Sequence, residues 1–175
     1  RSGCIEKELT EEWANKMWQK FEFFSGYGFN KSHSAAYALI AYQTAWLKAH
    51  YPAAFMAAVL TADMDNMDKL VFLKDDCSQF GIKLEAPDIN VSQYEFAVTG
   101  ERSISYGLGA IKGVGQSIID NIVAEREANG RYVSLLDLCR RVDQQRINRR
   151  VLEALVRSGA LDCLGENRAT LMGAV

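Results

Sequence analysis

The sequence predicts a mainly α-helical fold interrupted once by a short β-hairpin, and three observations carry that expectation. Apolar residues recur at helical spacing along most of the chain, as at Trp13, Met17, Phe21 and Phe24. Glycine, proline and asparagine gather between those stretches, where turns belong. Around Tyr94-Glu95-Phe96-Ala97-Val98 the pattern changes to period two, and Thr99-Gly100-Glu101 turns it back into Ser103-Ile104-Ser105-Tyr106.

A first amphipathic helix runs from Glu6 to Phe24, with Thr10-Glu11-Glu12 as an alternative start, and its Trp13–Phe24 face is expected in the core. The stretch Ser25 to Ser34 breaks it, and Ser32 or Ser34 is the expected N-cap of the next helix. That helix, about Ala35 to His50, is apolar almost all round and reads as a buried spine. Pro52 ends it and opens a small-residue helix to Ala62. Asp65 or Asn66 caps a further helix to about Phe80, with Leu70, Val71, Leu73 and Cys77 inward. The stretch Gly81 to Asp88 is extended or turning.

After the hairpin comes Gly107 to Arg126. An apolar segment ends at Ile111, then Lys112 and Gly113-Val114-Gly115 turn the chain into a helix from Gln116 or Ser117. Ile118, Ile119, Ile122 and Val123 form its apolar face. Two glycines around one apolar residue permit a sharp turn and leave no Cβ to obstruct a partner. The unpaired N–H groups at the following helix start suit a phosphate oxygen. Beyond Gly130, Leu135 to Cys139 forms a short helix. Arg146 to Arg157 forms a basic one, with Val151, Leu152, Leu155 and Val156 inward and Gly159 as C-cap. Asn148 to Leu164 repeats the helix–glycine–helix idea with Ser-Gly-Ala, a degenerate second copy.

Composition is that of a globular protein, 49% apolar and 24% charged over 175 residues. No apolar run is long enough to cross a bilayer. Because the chain opens on Arg1, it reads as a segment of something longer. Cys4, Cys77, Cys139 and Cys163 are far apart and suggest reduced thiols in a cytoplasmic protein rather than a zinc site or disulfide framework. Net charge is −2, yet residues 131–157 hold seven arginines against Asp137, Asp143 and Glu153, a local +4. A nucleic-acid partner would meet that second half.

Catalytic constellations fall short. His33 and His50 stand apart from any paired Ser or Cys, and His50 suits a structural or capping role. Asp63, Asp65 and Asp68 straddle a helix junction, where acids suit the first turn of the second helix. Lys31, His33, Asn30, Ser32 and Ser34 cluster at a helix start, donors suited to a polyphosphate, with Tyr27 or Tyr37 as a stacking ring. An ordinary capped loop reads equally well there.

Gly107–Arg126 resembles a helix-hairpin-helix, a family that grips the DNA sugar-phosphate backbone with little sequence preference. A wider resemblance rests on Gly26-Tyr27-Gly28-Phe29-Asn30-Lys31-Ser32-His33-Ser34-Ala35-Ala36-Tyr37 and Tyr42 to Pro52. It extends through Pro87-Asp88-Ile89-Asn90, Gly107 to Gly115 and Asn148 to Glu153. These are similar to the C-family bacterial replicative DNA polymerases, the polymerase III alpha subunits, and the likeness covers the whole chain in order.

That resemblance implies a fingers-type helical bundle with a short β-hairpin, followed by a tandem helix-hairpin-helix. The implied divisions are 1–92 (fingers helices), 93–106 (hairpin connector), 107–165 (tandem module) and 166–175 (start of a following helix). Tyr27, Asn30, Lys31 and His33 would face an incoming deoxynucleoside triphosphate. Lys112, Gly113, Val114, Gly115 and Gln116, with Arg146, Arg149 and Arg150, would meet duplex primer-template DNA, and Arg126 would be a nearby cation. Mg2+ and other replicase subunits would serve the parent enzyme. The family's magnesium-binding aspartates belong to a palm region, and its Asp-x-Asp motif is read as absent here. So are the amino-terminal phosphoesterase-like region, a Gln-x-x-Met-Phe-type clamp peptide and an OB-like strand array. The chain is thus expected not to polymerise alone. A free-standing helix-hairpin-helix module of repair or recombination, or a protein-docking segment, stands as the alternative.

Overall fold

The structure is a computed structural model that describes residues 3, 7, 9–27, 31–143 and 147–175, with the backbone alone described at Tyr27. Contacts divide the chain into two compact units, Arg1–Ala45 and Trp46–Val175. The division falls inside a helix.

In the first unit, helix α1 spans Glu11–Tyr27 and α2, Lys31–His50, begins. Thr10 opens α1, its hydroxyl accepting from the Trp13 amide at 3.2 Å, so the later of the two starts is the one used. Lys31 is already helical, which overturns the capping expectation: Ser32 and Ser34 lie within the first turn of α2. The expected burial is overturned too. Trp13, Phe21 and Phe24 are 44%, 62% and 71% exposed, and α2 buries no residue. Apolar periodicity marks a face that favours burial but not the surface that covers it. Among the described residues these faces have no covering layer.

The second unit is built around two apolar clusters. Pro52 at the first position of α3 (Pro52–Ala62) ends α2 and fixes the new helix start. The Asn66 side chain accepts from the Lys69 amide at 3.1 Å and caps α4, Met67–Gln79. Leu70 and Cys77 face inward as expected, whereas Val71 is exposed. Behind α3 and α4 lies a three-stranded sheet of β1 (Lys83–Leu84), β2 (Ala97–Gly100) and β3 (Ser103–Ser105). The expected hairpin is β2–β3, shorter than its apolar pattern, with a register shift between Val98 and Gly100. Strand β1 adds parallel to β3, which the period-two pattern did not indicate. Met56, Leu60, Cys77, Phe96 and Ile104 fill the first cluster.

The second cluster joins helices α5 (Gln116–Asn129), α6 (Leu135–Arg141), α7 (Arg149–Ser158) and α8 (Arg168–Ala174). Ile119, Ile122, Leu138, Leu155, Leu161 and Leu171 are fully buried in it. Ser134, Asn148 and Asn167 cap α6, α7 and α8 through their side-chain oxygens, each worth about 1 kcal/mol. Gly159, at φ 87°, closes α7 in the left-handed conformation.

Candidate nucleic-acid interface

The Gly107–Gly115 segment is held by the loop before β2. The amides of Leu108 and Gly109 donate to the carbonyls of Gln93 and Tyr94 at 2.8 and 2.9 Å. A Cβ at Gly107 or Gly109 would strike that loop at 2.8 Å, so these two glycines serve packing. A one-turn 3-10 helix, Leu108–Ala110, then leads to Ile111.

Gly113 and Gly115 differ from them. Gly113 has φ 94°, a turn only glycine adopts without strain, and space around both is open to 4 Å. Val114 between them is buried against the second cluster, and its amide donates to the Ile111 carbonyl at 3.1 Å. The expectation that Val114 meets a partner is therefore corrected: it pins the turn from inside. The amides of Gly113, Gly115 and Gln116 find no acceptor among the described residues. Gly115 stands at the N-cap of α5, with no side-chain cap. The 14-residue helix thus presents its positive end at an exposed, unobstructed turn.

Cations gather on one side of this turn. Lys112, Gly113, Asn148, Arg150, Glu153 and Arg157 line a groove of about 890 Å³ between the hairpin and α7. Arg149 and Arg150 sit in the first turn of α7, where positive charge opposes the helix dipole. Their presence there is a cost to the helix, offset in part by Glu153 one turn on. Its carboxylate takes Arg149 at 2.9 Å and Arg157 at 3.6 Å. With Arg149 and Arg157 74% and 71% exposed, each pair contributes only about 0.3–0.5 kcal/mol.

The second glycine turn is closed. The guanidinium of Arg168 occupies the place a Gly159 side chain would take and pairs with Asp162. That pairing holds the Asp162 carboxyl below its ordinary range. The amides of Gly159 and Ala160 donate to Val156 and Leu155, both at 3.1 Å. The degenerate copy shares a positive-φ glycine with the first but not its open amides.

Arg126 is corrected outright. It is buried, and Nη1 donates to the carbonyls of Ile89 and Ser92 at 2.8 and 2.9 Å. Burial lowers its pKa from the usual arginine value, and its guanidinium is engaged inside the fold. Pro87-Asp88-Ile89-Asn90, picked out by resemblance, is likewise a structural knot. Asn90 exchanges two hydrogen bonds with the Tyr132 backbone, at 2.7 and 3.0 Å.

Of the other expected site residues, Arg146 and Asn30 lie outside the described residues, as does the Tyr27 side chain. Lys31 and His33 sit exposed in the first turn of α2, and the His33 ring lies 4.4 Å from that of Tyr37. Glu153 and Arg157 entered the sequence reading only through the local charge of 131–157 and not as site residues. The i,i+4 spacing of Glu153 from both Arg149 and Arg157 was the available signal.

Among the described residues no group of three or more His, Cys, Asp or Glu is placed to hold a metal ion. An Asp-x-Asp triplet is nonetheless present as Asp63-Met64-Asp65, contrary to expectation. It forms the turn after α3, where Asp63 pairs with Lys69 at 2.6 Å. These residues do not fit a magnesium pair. No helix among the described residues is long and apolar enough to cross a membrane.

An open glycine hairpin feeding an uncapped helix, pinned by a buried apolar residue, defines a helix-hairpin-helix module. Residues 81–171, more than half the chain, match the helix-hairpin-helix motif family, and the chain belongs to it. The likeness extends through the first half as well. The chain is 54% identical to the DNA polymerase III subunit alpha of Pasteurella multocida over 97% of its length. It is 54% identical to that of Escherichia coli K12 over 99%, and 52% identical to that of Haemophilus influenzae over 98%. It is homologous to one segment of these subunits, spanning about 15% of their length.

Proposed function

We propose that the chain is the part of a cytoplasmic replicative DNA polymerase that holds the backbone of duplex primer-template DNA. Its amino-terminal helices would face the incoming deoxynucleoside triphosphate. The observation that carries this reading is the open Gly113–Gly115 turn, whose free amides lie beside the Lys112–Arg150–Arg157 groove. Backbone amides and guanidinium groups bind phosphate regardless of base, so the contact positions the duplex without reading it. The similarity of residues 1–80 to polymerase subunits favours this over a free-standing repair module. Exposed Trp18, Phe23, Phe24 and Tyr42 suit helices covered elsewhere in a longer polypeptide and its replicase partners.

In the parent enzyme, template-directed phosphoryl transfer would use Mg2+ held by carboxylates other than those described here. The residues in hand supply position, with Lys31, His33, Asn30 and Tyr27 as the set facing the triphosphate. A duplex-binding salt series tests the first half of the proposal. Lys112→Gln and Arg150→Gln should each flatten the log–log slope by about 0.9. An unchanged slope in both would contradict it. For the second half, a deoxynucleoside triphosphate should slow amide exchange across residues 27–37, and Lys31→Ala should abolish that protection. No change in exchange with saturating nucleotide would remove the assignment.

A further inference from the structure

Building on the duplex-backbone reading, we infer that Glu153 is a built-in competitor for DNA phosphate that weakens the grip of the groove. A carboxylate is out of place in a site made to receive phosphate, yet Glu153 lines the groove with Lys112, Arg150 and Arg157. It is also the most sheltered member of its ion-pair network. Its side chain is 25% exposed, against 74% for Arg149 and 71% for Arg157.

Its two oxygens are divided between two arginines, Oε1 to Arg149 Nε and Oε2 to Arg157 Nη2. A phosphate group presents the same paired oxygens to the same guanidinium groups. Arg149 and Arg157 are thus held in place by a carboxylate that a nucleic-acid phosphate must displace or share. When phosphate takes the arginines, Glu153 remains beside it as a like charge. Both effects lower affinity, and both loosen the duplex. A weak, exchangeable grip suits a protein that must release the backbone and regain it as the duplex moves.

The exposure of the arginines makes the exchange easy. Their pairs with Glu153 are surface pairs, screened by salt and without further partners among the described residues. Among the described residues Lys112 and Arg150 have no such pairing and remain available to phosphate. Two kinds of cation line the groove, Lys112 and Arg150 open to phosphate and Arg157 engaged by Glu153, whose other oxygen holds Arg149 of the same helix.

The test measures binding of the chain to a labelled, sequence-neutral duplex across a salt series, with Glu153→Gln beside the wild type. The Gln variant keeps the shape and removes the charge. It should bind about three- to tenfold more tightly at low salt, with the log–log slope steeper by about one. Adding Arg149→Gln and Arg157→Gln should cost more in the Glu153→Gln background than in the wild type, a coupling that a merely structural role would not produce. If the Gln variant fails to fold, Glu153→Ala makes the same charge deletion with a stronger helix former and should show the same gain. Equal or weaker binding by the folded variant, with wild type still binding, overturns the competitor role alone. Absence of binding by both proteins at low salt overturns the duplex-backbone reading and this inference with it.

Discussion

The guanidinium of Arg126 donates to the carbonyl of Ile89 at 2.8 Å, joining the last turn of α5 to a turn 37 residues earlier in the chain. The same nitrogen reaches Ser92 at 2.9 Å. These bonds tie the helix that follows the open hairpin to the loop on which the hairpin is seated.

Replacing Arg126 by methionine leaves two buried carbonyls without donors while keeping much of the side-chain volume. The expected loss is about 2–4 kcal/mol, measured by urea unfolding. Arg126→Lys recovers only part of it, since an ammonium on a shorter reach cannot keep the planar geometry.

Asn90 is the other half of this knot. Asn90→Ala removes an acceptor from the Tyr132 amide and a donor to the Tyr132 carbonyl, both buried. A loss of about 2–3 kcal/mol is expected by the same unfolding measurement. Asn90→Asp keeps the acceptor but sets a buried carboxylate against the Tyr132 carbonyl, and should cost at least as much near neutral pH.

Cys163 should react slowly despite its exposure. Burial of the thiol, together with the negative charge of the Asp88 carboxylate, pushes its pKa up to about 11. Only the thiolate is nucleophilic, so iodoacetamide labelling at pH 8 should be slow in the folded chain and faster after unfolding. Because the folded value lies above the unfolded one, the fold holds this proton more tightly. The associated stability is complete below about pH 8.5 and is lost as pH rises through about 11. Asp88→Asn should speed labelling of the folded chain.

The two left-handed glycines should respond differently to alanine. Gly113→Ala meets open space and suffers only the strain of its positive φ, about 1 kcal/mol. Gly159→Ala adds displacement of Arg168 from Asp162 to the same strain, so it should destabilise more in thermal unfolding. Only the change at Gly113 should also reduce duplex binding.

Much of the second unit was legible because its punctuation is local. Pro52, Asn66 and Gly159 mark helix ends by their own backbone chemistry, and the structure uses each as expected. The hairpin glycines and the Ile118–Ile122 face were equally readable. What was hidden depends on distant partners. Arg126 counted as a surface cation because nothing near it in sequence indicates that two carbonyls await it. Strand β1 has only two residues, too few for a pattern, and is made a strand by β3. The α1 and α2 faces showed the opposite error. Their periodicity is real, but it carries no information about which surface lies against them.

Capture of a DNA phosphate by the free amides at Gly113–Gly115 is tested most directly by Gly115→Val. Gly115 has φ −80°, suitable for any residue, and no atom lies within 4 Å of its added Cβ. The variant should therefore stay folded, losing only about 1 kcal/mol to the poorer N-cap, while its side chain stands in the path of the phosphate. Loss of one or two charge-assisted hydrogen bonds predicts duplex binding weaker by roughly tenfold or more at low salt. A folded Gly115→Val chain that binds duplex DNA as tightly as the wild type would contradict the account.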